Sequence, residues 1–176
     1  MKRLITNILT ALAVLAAICW LSPTRLIAAP TIVTGGGTAT FNADLDGDGD
    51  IDGSHFGVGA VIGKAGSAKG RFECLMAGNA DILGLPLMAV QGTVNAGSAS
   101  GDSATLSGTA TVNLGGGQIF YGVPFTVTLT AGGPGVGHLQ LTVIGAFDGG
   151  PGDTISGNGN YDIPVEWVAT GGIDIR

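Results

Sequence analysis

Positive charge is scarce in this chain of 176 residues, and its scarcity excludes some classes of partner. Beyond residue 28 the only basic residues are Lys64, Lys69, Arg71 and Arg176, against 13 acidic residues, which gives residues 29–176 a net charge of −9. Such a surface offers no basic patch for nucleic acid or anionic lipid. We therefore expect no nucleic-acid partner, and no membrane partner once the N-terminal segment has been removed.

Cysteine and aromatic residues are also few. Cys74 is the only cysteine after residue 28, so residues 29–176 form no internal disulfide, and its apolar neighbours Phe72 and Met76 predict a buried thiol. Aromatic residues make up 6% of the chain, which leaves little for the aromatic platform of a typical sugar-binding face. Stability must come from the apolar core, backbone hydrogen bonds and any bound metal.

The N-terminal segment has the pattern of an export signal. Lys2 and Arg3 precede an apolar stretch over residues 4–21, and small residues arrive at Ala28 and Ala29 after Pro23. We predict a helical signal peptide over residues 1–28 and one domain over 29–176, secreted or at the cell surface. An uncleaved anchor is the alternative, because the apolar stretch is long enough to be considered as a membrane span, which needs about twenty apolar residues.

Strand periodicity dominates the remainder. Lys69, Arg71 and Glu73 alternate with small or apolar residues, which is typical of a strand with one wet and one buried face. Similar patterns predict strands over residues 38–43, 56–62, 87–95, 105–114, 125–129, 138–143, 155–168 with a break near Pro164, and 173–175. The chain is thus predicted to be all-β.

Eight or nine antiparallel strands can close into a small barrel or divide into two packed sheets. Glycines inside several strands, such as Gly70 and Gly108, favour the barrel because they permit sharp coiling. The two-sheet sandwich is the alternative.

The most specific motif is an Asp-rich loop at residues 44–55, with five carboxylates at alternate positions over nine residues. Against the twelve-residue EF-hand pattern, Gly49 falls at the turn position 6. The spacing predicts a calcium site with the ligands Asp44, Asp46, Asp48, Asp50 through its carbonyl, and Asp52.

The EF-hand match ends at position 12, where His55 replaces the usual bidentate glutamate. Imidazole is a poor ligand for a hard cation, so we expect His55 to be structural and the affinity for calcium to be weak. A carboxylate from another loop, such as Asp148 or Asp153, is a candidate replacement. A plain acidic turn is the alternative interpretation of the loop.

The order of several segments resembles the post-COAP domains. The resemblance is carried by the triple-glycine segment over 35–43, by 70–73, by 104–113, by 124–129 and by the closing segment 172–175. It implies a Gly-rich all-β module of a secreted or surface bacterial protein and brings no catalytic residues. Because that family does not require an Asp-rich loop, the calcium prediction depends on this chain's residues alone.

No constellation of catalytic residues is evident. Gly101, Asp102 and Ser103 lack the strand–turn–helix setting of a nucleophile, and Glu73, a conceivable partner of Glu166, shares a charged face with Lys69 and Arg71. We expect a non-enzymatic structural or adhesion module, stabilised by calcium, with an unknown surface or extracellular partner. The alternatives are a barrel that binds a glycan or a small apolar ligand, with Trp167 as the candidate contact, and, third, a small-barrel enzyme.

Overall fold

The computed structural model describes residues 29–45, 47, 49, 51–77, 85 and 87–176. In these residues it has nine β-strands and a single 3-10 turn at Lys64–Gly66. The strands are β1 Thr31–Thr40, β2 Gly53–Ile62, β3 Ser67–Ala77, β4 Leu87–Ser100, β5 Ser103–Asn113, β6 Ile119–Thr130, β7 His138–Ile144, β8 Asn160–Asp162 and β9 Glu166–Ile175. None of the described residues belongs to a helix long and apolar enough to cross a membrane. The predicted signal helix at residues 1–28 lies outside the described residues.

The nine strands form one continuous antiparallel sheet that closes on itself. Its order is β6-β5-β4-β3-β2-β1-β9-β7-β8, and β6 also pairs with β7. β9 and β8 share one side of β7, where β9 pairs with His138 and Leu139 and β8 pairs with residues 142–144. The all-β prediction is confirmed, and the closed ring of strands is barrel-like.

Most predicted strands coincide with observed ones, and the differences occur where glycine is dense. β1 begins at Thr31, well before the predicted start at residue 38. β4 continues through residues 96–100, beyond the predicted end at residue 95, and a two-residue turn then leads into β5. Residues 155–159 form turns rather than strand, and the segments predicted around 168 and 173 belong to the single strand β9.

Glycine allows the first and last strands to approach each other closely. Gly37 has φ +146°, and a Cβ there would collide with the carbonyl oxygen of Thr170. Gly171 has φ +78°, and its Cβ would collide with the carbonyl oxygen of Gly36. The glycine run therefore belongs to a strand because only glycine fits this contact.

Alternate side chains from every long strand fill the interior of the ring. At its centre Phe72 and Phe125 are stacked, with ring centroids 5.8 Å apart, and the Phe125 ring occupies the space that a side chain at position 92 would need. Cys74 is 1% exposed, as predicted. Full burial of each large apolar side chain contributes about 1.5–3 kcal/mol, so this packing is the main stabilising term.

Candidate metal centre and the buried acid beside it

The Asp-rich segment is the connection between β1 and β2. At its base the N–H of Phe41 donates to the carbonyl oxygen of Asp52, at 2.8 Å, and the Phe41 side chain is buried. The two ends of this connection are therefore joined by a hydrogen bond, and its first end is anchored in the core.

Asp44 organises the first half of this loop. Its carboxylate accepts hydrogen bonds from the N–H groups of Gly47, at 2.5 Å, and Gly49, at 3.1 Å. Gly49 is in the left-handed region, at φ +102°, where glycine is favoured. The loop thus turns around the Asp44 side chain, which is itself exposed.

Asp52 is fully buried at the other end of the loop. One carboxylate oxygen, Oδ2, accepts the N–H of Leu45, which ties the two halves of the loop together. The other, Oδ1, is enclosed and has no hydrogen-bond partner among the described residues. An enclosed carboxylate oxygen without a partner is costly, and a bound cation is one of the few groups that relieve the cost.

The burial of Asp52 follows from the alternation of β2. Ser54, Phe56 and Val58 are buried, while His55 between them is exposed. Asp52 lies two residues before Ser54, so its side chain points to the same, inward face. The period-2 pattern, extended backwards from Phe56, therefore contains the signal for a buried aspartate, which the loop motif alone does not contain.

The predicted ligands are only partly visible in the structure. Asp46, Asp48 and Asp50 lie outside the described residues, whereas Asp44 and Asp52 stand at opposite ends of the loop. Within the described part of the chain, no group of three or more His, Cys, Asp or Glu side chains is positioned to hold a metal ion.

The two remote carboxylates suggested for the loop have other partners. Asp148 accepts the N–H groups of Gly157 and Gly159, at 2.7 and 2.9 Å. Asp153 accepts the N–H of Gly149, at 2.7 Å, and this hydrogen bond is the main cause of its lowered pKa. Both side chains thus organise the segment between β7 and β8.

A second buried acid lies close to the start of β2. Glu166, the first residue of β9, is fully buried, and its Oε2 accepts the hydroxyl proton of Ser54. Its Oε1 lies 4.0 Å from the Sγ of Cys74. Loss of hydration on burial raises the pKa of Glu166 to about 7, although the Ser54 hydrogen bond acts in the opposite direction.

Cys74 is affected by the same enclosure. Burial first, and then the nearby Glu166 charge, raise the pKa of the thiol well above its ordinary value. Ser54, Cys74 and Glu166 are each less than 5% exposed, so the cluster is shut off from solvent. A high-pKa thiol in an enclosed position is inert, and we assign the cluster to packing and proton binding rather than to nucleophilic chemistry.

The burial of Glu166 was not predicted from the sequence. The available signal was its position relative to Val168, which is buried on the same strand face. Residues two apart on a strand share a face, so an inward Val168 places Glu166 inward too. The proline before this segment obscured where the alternation begins.

Two outer features bear on ligand binding. A groove of about 290 Å³ lies at the foot of the loop, and its lining includes Thr40, Ile51, His55 and Leu75. Elsewhere the half-buried Trp167 packs against His138, with ring centroids 4.8 Å apart. Trp167 is thus already engaged by a neighbouring side chain.

Comparison of the chain with protein-family models, with curated proteins and with solved structures gave no significant match in any of the three.

Proposed function

We propose that residues 29–176 form an exported structural or adhesion module, and that its β1–β2 loop binds one calcium ion that stabilises the ring of strands. The observation that supports this most strongly is the fully buried Asp52 carboxylate, whose Oδ1 has no hydrogen-bond partner in the described part of the chain. In its finer form the proposal describes a closed β-barrel of the post-COAP type. The basic and then apolar N-terminal segment supports export.

Calcium would act by joining the two ends of the loop. Asp44 and Asp52 are separated by seven residues that contain three further carboxylates, and these charges repel one another without a cation. Calcium takes six to eight oxygen ligands, and alternate aspartates supply them at the EF-hand spacing. A loop without the glutamate of position 12 is expected to bind weakly, with Kd on the order of 10⁻⁴ to 10⁻³ M, which suits extracellular calcium.

Thermal unfolding of wild type and Asp52→Asn, each in 10 mM calcium and in chelator, tests the proposal. Mass action at this Kd stabilises the wild type by about 1.4–2.7 kcal/mol, which raises Tm by roughly 4–8 °C. The amide of the Asp52→Asn variant retains an oxygen for the Leu45 N–H but carries no buried charge. We therefore expect the order of stability to reverse: the variant is at least as stable as wild type in chelator, and less stable than wild type in calcium.

Asp102→Asn is the matched control, because Asp102 lies exposed in the β4–β5 turn. This variant should keep the full calcium response. If the wild type has identical melting curves in calcium and in chelator, the loop binds no stabilising calcium and is a solvated acidic turn. An equal calcium response in wild type and Asp52→Asn would remove Asp52 from the site.

Binding of a glycan or a small apolar ligand is the second candidate function. The groove at the foot of the loop favours it, because about 290 Å³ is near the lower end of the size of small-molecule sites. Its lining combines the aliphatic Ile51 and Leu75 with the polar Thr40 and His55. Glycan-array binding that is lost in Leu75→Glu but kept in Val61→Glu would support this function.

A further inference from the structure

The β7–β8 loop, residues 145–159, contains the only Asn–Gly pair of the chain, Asn158 and Gly159. Both residues are exposed. Asparagine is a thermolabile residue, and it is especially labile before glycine, because glycine has no Cβ to hinder the approach of its backbone nitrogen. The pair is therefore a candidate site of spontaneous covalent modification.

The reaction needs no reagent other than water. The backbone nitrogen of Gly159 attacks Cγ of Asn158, so that an N–Cγ bond forms and the Cγ–Nδ2 bond breaks. The side-chain nitrogen leaves as ammonia with the proton of the glycine amide, and a succinimide ring remains. Water then opens the ring at one of its two carbonyl carbons, which leaves aspartate or isoaspartate at position 158. Attack requires an approach to about 3–3.5 Å in the correct orientation, so the loop conformation controls the rate.

The folded loop gives each reacting group another partner. The Gly159 N–H donates to Oδ2 of Asp148, at 2.9 Å. The Asn158 Nδ2 donates to Oδ2 of Asp162, at 2.7 Å, and the Asn158 Oδ1 accepts the N–H of Asn160, at 2.8 Å. The nucleophile and the amide that it attacks are thus both held in place.

The charges around the pair also oppose the reaction. Attack removes the amide proton of Gly159 and places negative charge on the Asn158 oxygen. A carboxylate beside each of these groups disfavours that charge. The Asn160 N–H favours it, but one neutral donor is weaker than two charged groups. We therefore expect the reaction to be slow while the loop is closed.

We propose that Asn158 is a modification site guarded by the fold: opening of the β7–β8 loop lets Gly159 convert it to aspartate or isoaspartate, and the new carboxylate then prevents the loop from closing again. Asp148 and Asp162 are the guarding residues.

The effect on closure follows from the surroundings of Asp162. Its side chain is 7% exposed, and its Oδ1 accepts the hydroxyl proton of Thr142, at 2.8 Å. In the product a carboxylate oxygen replaces the Nδ2 donor of Asn158, so two like charges would stand at hydrogen-bond distance beside a buried group. The same loop carries Phe147, whose ring packs edge-to-face on Phe120 of β6 with centroids 5.2 Å apart. Loss of closure should therefore loosen this end of the ring.

Peptide mapping by mass spectrometry tests the proposal. The chain over residues 29–176 is incubated in chelator at mildly alkaline pH, either folded or unfolded in urea, and conversion at residue 158 is followed with time. We expect conversion of the folded wild type to be roughly 100-fold slower than in urea, which corresponds to a loop that is closed in about 99% of molecules. Equal rates in the two states, or no conversion in urea, would overturn the proposal.

Asp148→Ala removes the acceptor of the Gly159 N–H and should raise the rate in the folded chain by at least about tenfold. Asp102→Ala, at an exposed position of the β4–β5 turn, is the matched control and should convert at the wild-type rate. Circular dichroism checks that the strands of both variants remain folded. A rate that Asp148→Ala leaves unchanged would contradict the guarding role of Asp148.

Asn158→Asp carries the charge of the product and tests its effect independently of the reaction. Hydrogen exchange over residues 145–162 should be faster in this variant than in wild type. Asn160→Asp is the control, because it adds the same charge two residues away and keeps an oxygen for the Gly145 N–H that Asn160 accepts. Equal exchange in the two variants would show that the carboxylate at position 158 does not prevent closure. Because these measurements are made in chelator, they stand or fall separately from the proposed calcium site.

Discussion

Two buried carboxyl groups differ in how their environment supports them. Asp52 has one oxygen paired with the Leu45 N–H and one that is enclosed and has no partner among the residues that the structure describes. Glu166 instead accepts the Ser54 hydroxyl and has its pKa raised to about 7 by burial. Burial thus favours the protonated form of Glu166, whereas at Asp52 it leaves one carboxylate oxygen without a described hydrogen-bond partner.

Glu166 makes the stability of the ring depend on pH. Its pKa rises from an ordinary value of 4.5 to about 7 in the folded state, so the folded chain keeps a proton that the unfolded chain has lost. The associated stability is fully present below pH 4.5 and is lost as the pH rises to about 7. The loss is on the order of 3 kcal/mol.

Glu166→Gln removes this dependence, because the amide is neutral at every pH and can still accept the Ser54 hydroxyl proton. We measure the free energy of unfolding in urea, in the presence of chelator. Between about pH 4 and about pH 8, the difference in this free energy between variant and wild type should shift by roughly 3 kcal/mol in favour of the variant. Glu73→Gln, at an exposed position of β3, is the control and should show the same pH dependence of the free energy of unfolding as wild type. If the free energies of unfolding of wild type and Glu166→Gln change with pH in parallel, the pKa of Glu166 is not raised in the folded state and this account is wrong.

Among the residues of the site, sequence reasoning identified those with a motif and missed those defined by the fold. Asp44 and Asp52 were predicted as ligands from their spacing alone. Asp52 is enclosed because the alternation of inward-facing side chains on β2 continues into the loop. The contact between Ser54 and Glu166 joins residues 112 apart in the chain. No local pattern contains such a contact.

Among the elements, β1 and β9 show how glycine determines the closing pair. In this antiparallel pair Gly36 and Gly37 lie opposite Gly172 and Gly171, and the register shifts between residues 38 and 39. Thr38 and Thr170 add a hydrogen bond between their hydroxyl groups, at 2.8 Å. A run of glycine suggests a flexible segment when only local propensity is considered, which is why the start of β1 was not predicted.

Gly37→Ala should weaken this closing pair. The added Cβ meets the Thr170 carbonyl oxygen, and φ +146° strains any L side chain, so we expect a loss of at least ~2 kcal/mol in the free energy of unfolding. Gly59→Ala is the control, since a Cβ there has no neighbour within 4 Å. It should be neutral or slightly stabilising. Equal stability of the two variants in urea unfolding would contradict the close approach of β1 and β9.

At the scale of the whole molecule, alternation predicts the strands but not the closure. The turn residues between neighbouring strands favour the hairpins from β1 through β7, and all of these form. Closure instead requires β9 to return to β1, where Val33 pairs with Ile175. Such a long-range contact depends on the accumulated twist and register of every strand between them.

The calcium proposal also belongs to this scale, because the loop lies at the end of the ring where β1, β2 and β9 meet around Ser54 and Glu166. An ion that holds Asp44 and Asp52 together would restrain the β1–β2 hairpin and, through it, the closing pair of strands.

Isothermal titration calorimetry of calcium into the chelator-treated chain over residues 29–176 tests the central claim most directly. We predict a single site per chain with Kd on the order of 10⁻⁴ to 10⁻³ M. The signal should disappear in Asp52→Asn and persist in Asp102→Asn. An absence of binding to wild type up to about 10 mM calcium, well above this Kd, or equal binding by wild type and Asp52→Asn, would contradict calcium stabilisation through the buried Asp52.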